Sequence, residues 1–173
     1  MVLRRNKNKK GSLQDVSLIG AMLLIAAVAV LIGFKVSNEI NTKIQDNDVL
    51  GGMAGATEAK NAMNNVNNLY SGVIDNSFLL LAVGLGVIAI IFAMLVRVHP
   101  VFFVFYVILL VITIFLSGIF SNIYTKMAEN PAMVDVAMQL VFVSHIMAYL
   151  PFIIGIFGFL IATVMYKNYE ANI

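Results

Sequence analysis

Four blocks of apolar residues divide the chain, and more polar segments lie between them. The blocks cover about residues 16–36, 78–98, 100–121 and 138–166. Each has roughly the 20 residues that an α-helix needs to cross a hydrocarbon layer about 30 Å thick. The pattern predicts an all-α polytopic membrane protein with four transmembrane helices, arranged as two helical hairpins.

The polar segment between the first two blocks keeps the apolar spacing of a helix. Apolar residues recur there at steps of three or four. These positions are Ile40, Ile44, Met63, Val66, Tyr70 and Val73. We therefore predict that the first hairpin extends beyond the bilayer as an outer polar hairpin over about residues 37–77, closed near 46–52. The alternative is a disordered loop, because the segment is rich in Asn and contains Gly72.

Prolines predict where the later helices begin and bend. Pro100 suits the first turn of the third helix, and the residue before it is disfavoured in a helix. Asn130 and Pro131 are expected to open the fourth helix as its N-cap and first residue. Pro151 interrupts the fourth apolar block, so we favour one helix kinked there. The alternative is an interfacial helix over residues 132–148, followed by a span over 149–166.

Basic residues set the expected orientation of the chain. They crowd the first ten positions, as Arg4, Arg5, Lys7, Lys9 and Lys10. Arg97 lies in the short loop after the second block, and Lys167 lies near the C-terminus. By the positive-inside rule, both termini are expected on the inner side of the membrane.

The chain is expected to consist of a basic inner arm, residues 1–12, and a four-helix transmembrane domain, residues 13–173. Ser12 and Asp15 have the spacing of a capping box, which predicts a helix start near Leu13. We expect the first apolar block to be an uncleaved span, because it is longer than the core of a typical signal peptide.

The basic arm and Arg97 are the predicted contacts with phosphate or lipid headgroups. Cations attract the phosphates of anionic lipids and, without sequence preference, those of nucleic acid. The arm contains no aromatic residue, so base stacking is not expected. The alternative is that the arm only determines topology.

Small residues at helical spacing are the predicted helix contacts, because they let backbones approach closely. They are Ala29 and Gly33 in the first helix, Ala82, Gly86, Ala89 and Ala93 in the second, and Gly155, Gly158 and Ala162 in the fourth. We expect helices one, two and four to form the tight core and helix three to be the most lipid-exposed.

Composition leaves little room for catalysis. The chain is 61% hydrophobic and 12% charged, with a mean hydropathy of +0.93, and it has no cysteine. Thiolate chemistry, disulfides and thiolate metal sites are therefore excluded. His145 is the one candidate polar site near a span interior; the alternative is a neutral imidazole bonded to backbone or water. We predict no enzyme activity, cofactor or metal site.

One segment carries a resemblance to a known group of proteins. Residues 97–104 (RVHPVFFV) precede an apolar span and then Ser121-Asn-Ile-Tyr124, with Tyr149-Leu-Pro151 later in the chain. In outline, residues 75–166 resemble small multi-span membrane proteins of lipid-containing tailless phages and related mobile elements. The resemblance implies a virion membrane component under an icosahedral capsid. The basic arm would then face the genome, and the polar hairpin would face the shell.

The favoured hypothesis is a structural or scaffolding integral membrane protein, most simply a virion inner-membrane component that links the lipid layer to a capsid. Its expected partners are the lipid bilayer and, on the outer face, further copies of itself or a protein lattice. Its expected location is a virion internal membrane or a bacterial inner membrane. The alternatives are an oligomeric pore or a subunit of a conjugation or secretion machine, and a small enzyme or transporter centred on His145.

Overall fold

The computed structural model describes residues 13–46, 55–95 and 100–170. Helix makes up 94% of these residues, and none of them lies in a strand. The elements are α1 (Leu13–Asp46), α2 (Ala56–Leu69), a π-helical segment (Tyr70–Ile74), α3 (Asp75–Leu95), α4 (Pro100–Ala128), α5 (Val134–Gln139), α6 (Val141–Ala148) and α7 (Leu150–Glu170). The all-α prediction is confirmed, and α4 begins at Pro100 as expected.

Four stretches of helix are long and apolar enough to cross a membrane. They are Gly20–Gln45, Ala56–Ile91, Phe103–Ala128 and Leu150–Lys167. The helices α3 and α7 each have 21 residues. At 1.5 Å per residue each is about 31 Å long, close to the thickness of a hydrocarbon core. These helices are compatible with an integral membrane protein.

The C-terminal half of α1 packs antiparallel to α2 and the π-helical segment. Phe34 of α1 stacks on Tyr70, with ring centroids 5.2 Å apart. Next, Asn67 Nδ2 donates to Asn38 Oδ1 at 3.3 Å. Near the end of α1, Gln45 Nε2 donates to the Lys60 carbonyl at 3.1 Å, and Lys60 Nζ donates to the Gln45 carbonyl at 3.3 Å.

The π-helical segment joins α2 to α3 without a break in the helix. A π turn widens the helix and changes which residues share a face. Here it includes Gly72, whose carbonyl accepts a bond from the Asn76 side-chain amide. The segment starts with Tyr70, which packs on α1, and ends just before Asp75, which is buried.

Helix α4 is not the most exposed helix, contrary to the sequence prediction. It packs along α7 and α1, and it buries Tyr106, Thr113, Ser117 and Tyr124. The prediction was wrong because it ranked helices by glycine and alanine alone. The buried face of α4 instead carries hydroxyl groups, and Thr113 and Ser117 donate theirs to carbonyls of their own helix.

The prediction of a single kinked helix after Asn130 is also wrong. Residues 129–133 form a turn in which the Ala132 N–H donates to Asn130 Oδ1 at 2.9 Å, and α5 begins only at Val134. The helix is interrupted at Leu140, which has φ −92° and ψ 72°, and again at Tyr149. Pro151 lies in the first turn of α7, where its missing N–H costs little. The alternative of a separate helix before a span at 149–166 lies closer to the structure.

Candidate functional site

A buried carboxylate joins two distant parts of the chain. Asp75, the first residue of α3, is only 2% exposed. Its Oδ2 accepts the Phe142 N–H at 2.9 Å, and its Oδ1 accepts the Val143 N–H at 2.8 Å. Both donors belong to the first turn of α6.

This contact caps α6 from a neighbouring helix. The first N–H groups of a helix have no partner within the helix, and an acid near them is stabilised by the helix dipole. The side chain of the N-cap residue, Leu140, does not accept a hydrogen bond from these N–H groups. Asp75 therefore accepts hydrogen bonds from N–H groups that the interruption at Leu140 leaves without partners. In return, these N–H groups stabilise the Asp75 carboxylate, which is costly to bury without hydrogen bonds.

Two hydroxyl groups connect α4 to the same helix. Ser144 Oγ donates to the Ala137 carbonyl at 2.9 Å and lies 3.2 Å from Tyr124 Oη. A serine hydroxyl has one proton, so Tyr124 is the donor in the second bond. Tyr124 is 1% exposed. One turn earlier, Ser121 Oγ donates to the Ala148 carbonyl at 3.0 Å.

We call Asp75, Tyr124 and Ser144 the junction, since they join α3, α4 and α6. The junction lies where α3 begins and α4 approaches its end, beside the interruption at Leu140. Irregular backbone at the edge of an apolar bundle is tolerated where its polar groups find partners within the protein. The junction is therefore a structural contact that holds α3, α4 and α6 together.

An open cleft of about 410 Å³ lies beside the junction, between the last turn of α4 and the pair α5–α6. Its lining residues are Tyr124, Thr125, Ala128, Glu129, Val134, Ala137, Met138, Val141, Ser144, His145 and Ala148. His145, the predicted polar site, is exposed, and its Nδ1 is 2.7 Å from the Val141 carbonyl. Its ring stacks loosely on Tyr149, with centroids 6.5 Å apart.

Near the middle of α7, two of the predicted packing glycines lie in close contacts with neighbouring helices. A Cβ on Gly86 would lie 2.5 Å from Cε1 of Phe157, and a Cβ on Gly158 would overlap Cδ1 of Leu110. The Gly158 carbonyl also accepts a bond from Tyr106 Oη at 3.0 Å. Helix α7 thus meets α3 through Phe157 and α4 through Gly158.

The other predicted packing residues differ in how deeply they are buried and in how closely their neighbours approach. Ala82 and Ala93 are buried, and Ala89 and Ala162 pack against the cluster around Ala93, Tyr106 and Ile161. A Cβ on Gly33 would lie 3.1 Å from Tyr70 Oη, whereas one on Gly155 would meet only ordinary contacts. Ala29 is exposed, because α1 packs through the face with Leu23, Ala27, Leu31 and Phe34.

The predicted phosphate or headgroup contacts lie outside the described residues. They are Arg4, Arg5, Lys7, Lys9, Lys10 and Arg97. Within residues 13–46, 55–95 and 100–170, no group of three His, Asp or Glu side chains is placed to hold a metal ion.

Comparison of the chain with family models, curated proteins and solved structures gives no match.

Sequence reasoning missed the junction. The prediction placed Asp75 in the outer polar hairpin, residues 37–77, and Tyr124 was named only as part of the resemblance. One signal was present: Asp75 lies between Ile74 and Phe78 at the edge of a long apolar run, where an unpaired acid is costly. Its partners are backbone groups 67 and 68 residues away, and no side-chain pattern marks them.

Proposed function

We propose that this chain is a structural integral membrane protein that anchors a protein lattice to a lipid bilayer through α2 and the end of α1. Two helical hairpins cross the membrane, and the first extends beyond it on the outer side. Both termini lie on the inner side. The resemblance to proteins of lipid-containing phages favours a virion membrane beneath a capsid shell as the setting.

One observation carries the proposal: α2 is held in place, yet none of its 14 residues is buried. Side-chain bonds to Asn38 and Gln45 fix it on α1. A short, Asn-rich helix has little stability of its own, so its order depends on packing. Its outer surface is therefore available for a partner.

That surface has the spacing of a helix-packing seam. Ala59, Ala62, Val66 and Leu69 recur at alternating steps of three and four, and all four are exposed. Val66 is 44% exposed and Leu69 is 48% exposed. A narrow apolar stripe on a polar helix is typical of a surface that packs against another helix or a protein face. We call these four residues the α2 seam.

The extension beyond the bilayer is supported by charge. Lys35 and Glu39 form an ion pair of 3.2 Å on α1, and Lys35 directly follows the buried Phe34. From Asn38 onward, α1 and α2 are joined by hydrogen bonds of amide and ammonium groups. Such polar contacts favour water or the interfacial region over hydrocarbon.

The polar groups of the spans support a structural role over transport. Thr113 and Thr163 donate their hydroxyl protons to carbonyls of their own helices. Tyr106 donates its proton to the Gly158 carbonyl. Side chains bonded in this way are not arranged as a relay across the membrane.

The proposed orientation is testable because the chain has no native cysteine. We expect Ala62→Cys to react with a membrane-impermeant maleimide added from outside. Lys167→Cys should react only after the membrane is permeabilised, and Val104→Cys, exposed on a span, should react poorly in both cases. Labelling of Lys167→Cys in intact membranes would contradict the orientation.

The α2 seam is tested in the native assembly. If it docks onto a lattice, Val66→Asp should lower the fraction of the chain recovered with purified particles by about tenfold, because burial of a valine is worth about 1.5–3 kcal/mol. Asn68→Asp adds the same charge at a neighbouring exposed position and should have a much smaller effect. Recovery of Val66→Asp at the level of the unmodified chain would contradict docking through this seam.

An oligomeric pore is the second candidate, and one observation favours it. Asn61, Asn65 and Asn68 form an exposed polar stripe on α2. Several copies of this stripe around an axis would line a polar vestibule. Dye release from vesicles separates the two candidates: a pore raises it with protein density, whereas an anchor leaves it at background.

A further inference from the structure

The cleft beside the junction lies between the ends of two helices that are long and apolar enough to cross a membrane. Ala128, on one wall, is the last residue of the third candidate span, and Ala148, on the other, lies two residues before the fourth span begins. The ends of membrane-spanning helices lie near the lipid headgroups. This position suits a molecule that has both an acyl chain and a polar headgroup.

The lining of the cleft suits an amphiphile. Most of the lining is apolar, from Val134, Met138 and Val141 among others. Tyr124 and Ser144 already bond to each other and to the Ala137 carbonyl, so their protons are engaged. The remaining polar side chains of the lining are those of Thr125, Glu129 and His145. Glu129 and His145 are exposed, and they are the ionisable groups among the three.

These two groups both accept hydrogen bonds. Glu129 carries a carboxylate. The Nδ1 atom of His145 faces the Val141 carbonyl at 2.7 Å, so Nδ1 is the protonated nitrogen. In the neutral imidazole, Nε2 is then an acceptor. A ligand that offers N–H donors and a positive charge complements this pair.

We propose that the cleft binds an aminophospholipid, with its primary ammonium at Glu129 and His145 and an acyl chain along Val134, Met138 and Val141. A primary ammonium has three N–H donors, whereas the quaternary ammonium of phosphatidylcholine has none. Phosphatidylglycerol has no amine and would bring its negative phosphate towards the Glu129 carboxylate. The proposal depends on the membrane spans and not on the lattice-anchoring role.

Native mass spectrometry of the full chain tests this binding. The protein is released from micelles with equal amounts of phosphatidylethanolamine, phosphatidylcholine and phosphatidylglycerol that share the same acyl chains. We expect phosphatidylethanolamine to be retained preferentially. Glu129→Gln should lower this preference about three- to tenfold, as expected for loss of a partly exposed charge-assisted hydrogen bond. His145→Phe should lower it in the same direction.

Matched variants distinguish the cleft from general effects. Asp135→Asn removes an exposed acid that does not line the cleft and should leave the preference unchanged. Ala148→Phe fills the cleft and should lower phosphatidylethanolamine retention, whereas Ala29→Phe adds the same ring on an exposed face of α1 and should not. Equal retention of the three lipids by the unmodified chain would overturn the proposal, as would an unchanged preference in Glu129→Gln.

A soluble competitor tests the role of the acyl chain. Glycerophosphoethanolamine has the headgroup without the chains, and we expect it not to displace the bound lipid at equal concentration. Displacement by this headgroup alone would overturn the assignment of a lipid to the apolar lining.

Discussion

Replacement of Asp75 by alanine is expected to destabilise the folded chain by about 2–4 kcal/mol. The substitution leaves the N–H groups of Phe142 and Val143 without their acceptors. A buried donor without a partner costs about 1–3 kcal/mol. The loss is partly offset, because the cost of burying the carboxylate also disappears. The measurement is equilibrium unfolding in mixed micelles, followed by circular dichroism.

Two further variants show whether the effect comes from the cap. Asp75→Asn keeps one acceptor oxygen but turns an NH₂ group towards the second donor, so an intermediate loss is expected. Asp135→Ala removes an exposed acid from α5 and should change stability by less than about 0.5 kcal/mol. If Asp75→Ala unfolds at the same denaturant concentration as Asp135→Ala, the junction does not stabilise the fold.

Loss of the Asp75 cap is expected to affect α6 more than the other helices. With its first turn uncapped, α6 loses its hydrogen bonds to α3, while α7 keeps its packing on α3 and α4. Hydrogen exchange at Phe142 and Val143 should therefore become faster in Asp75→Ala than exchange in α7. This pattern would distinguish a local loss of order from a general loss of stability.

The helical class and the spans were predictable because they depend on runs of similar residues. A long apolar run makes crossing a hydrocarbon layer favourable whatever its detailed order, so the spans around α3 and α4 were placed from sequence. Pro100 added a sharp helix start, because a proline suits few positions in a helix.

The interruptions at Leu140 and Tyr149 were not predictable in the same way. Leucine favours helix, and Leu140 has no local feature that ends one. The interruption there is stabilised by Asp75, which is distant in sequence. Pro151 was the visible signal, but a proline two residues after an interruption fits the first turn of the next helix, so a kink at the proline was the wrong inference.

The packing of α4 was also not predictable from the sequence. Small residues indicate close approach, and Gly86 and Gly158 do lie in close contacts. A helix without them also packs closely when it presents a hydroxyl or an aromatic ring to the right backbone group. Tyr106 does so at the Gly158 carbonyl, and Ser121 does so at the Ala148 carbonyl. Spacing along one helix does not show which partner lies opposite.

Gly158→Ala is expected to destabilise the contact between α7 and α4 by about 1–3 kcal/mol, the usual cost of excess volume in a packed core. The new Cβ would overlap Cδ1 of Leu110 and lie 3.2 Å from its Cγ, so rotation of the terminal methyl groups alone does not relieve the contact. A shift of α7 would also strain the bond from Tyr106 to the Gly158 carbonyl. Unfolding in mixed micelles measures the loss.

Gly84→Ala is the matched control, because nothing lies within 4 Å of a Cβ at that position of α3. It should leave stability unchanged or raise it, since alanine is the better helix former by about 1 kcal/mol. Leu110→Ala opens space at the Gly158 contact, so the double variant should lose less stability than the two single variants together. If the losses add without coupling, the backbone approach at Gly158 does not depend on Leu110. A loss in Gly84→Ala equal to that in Gly158→Ala would contradict the packing of α7 on α4 through this glycine.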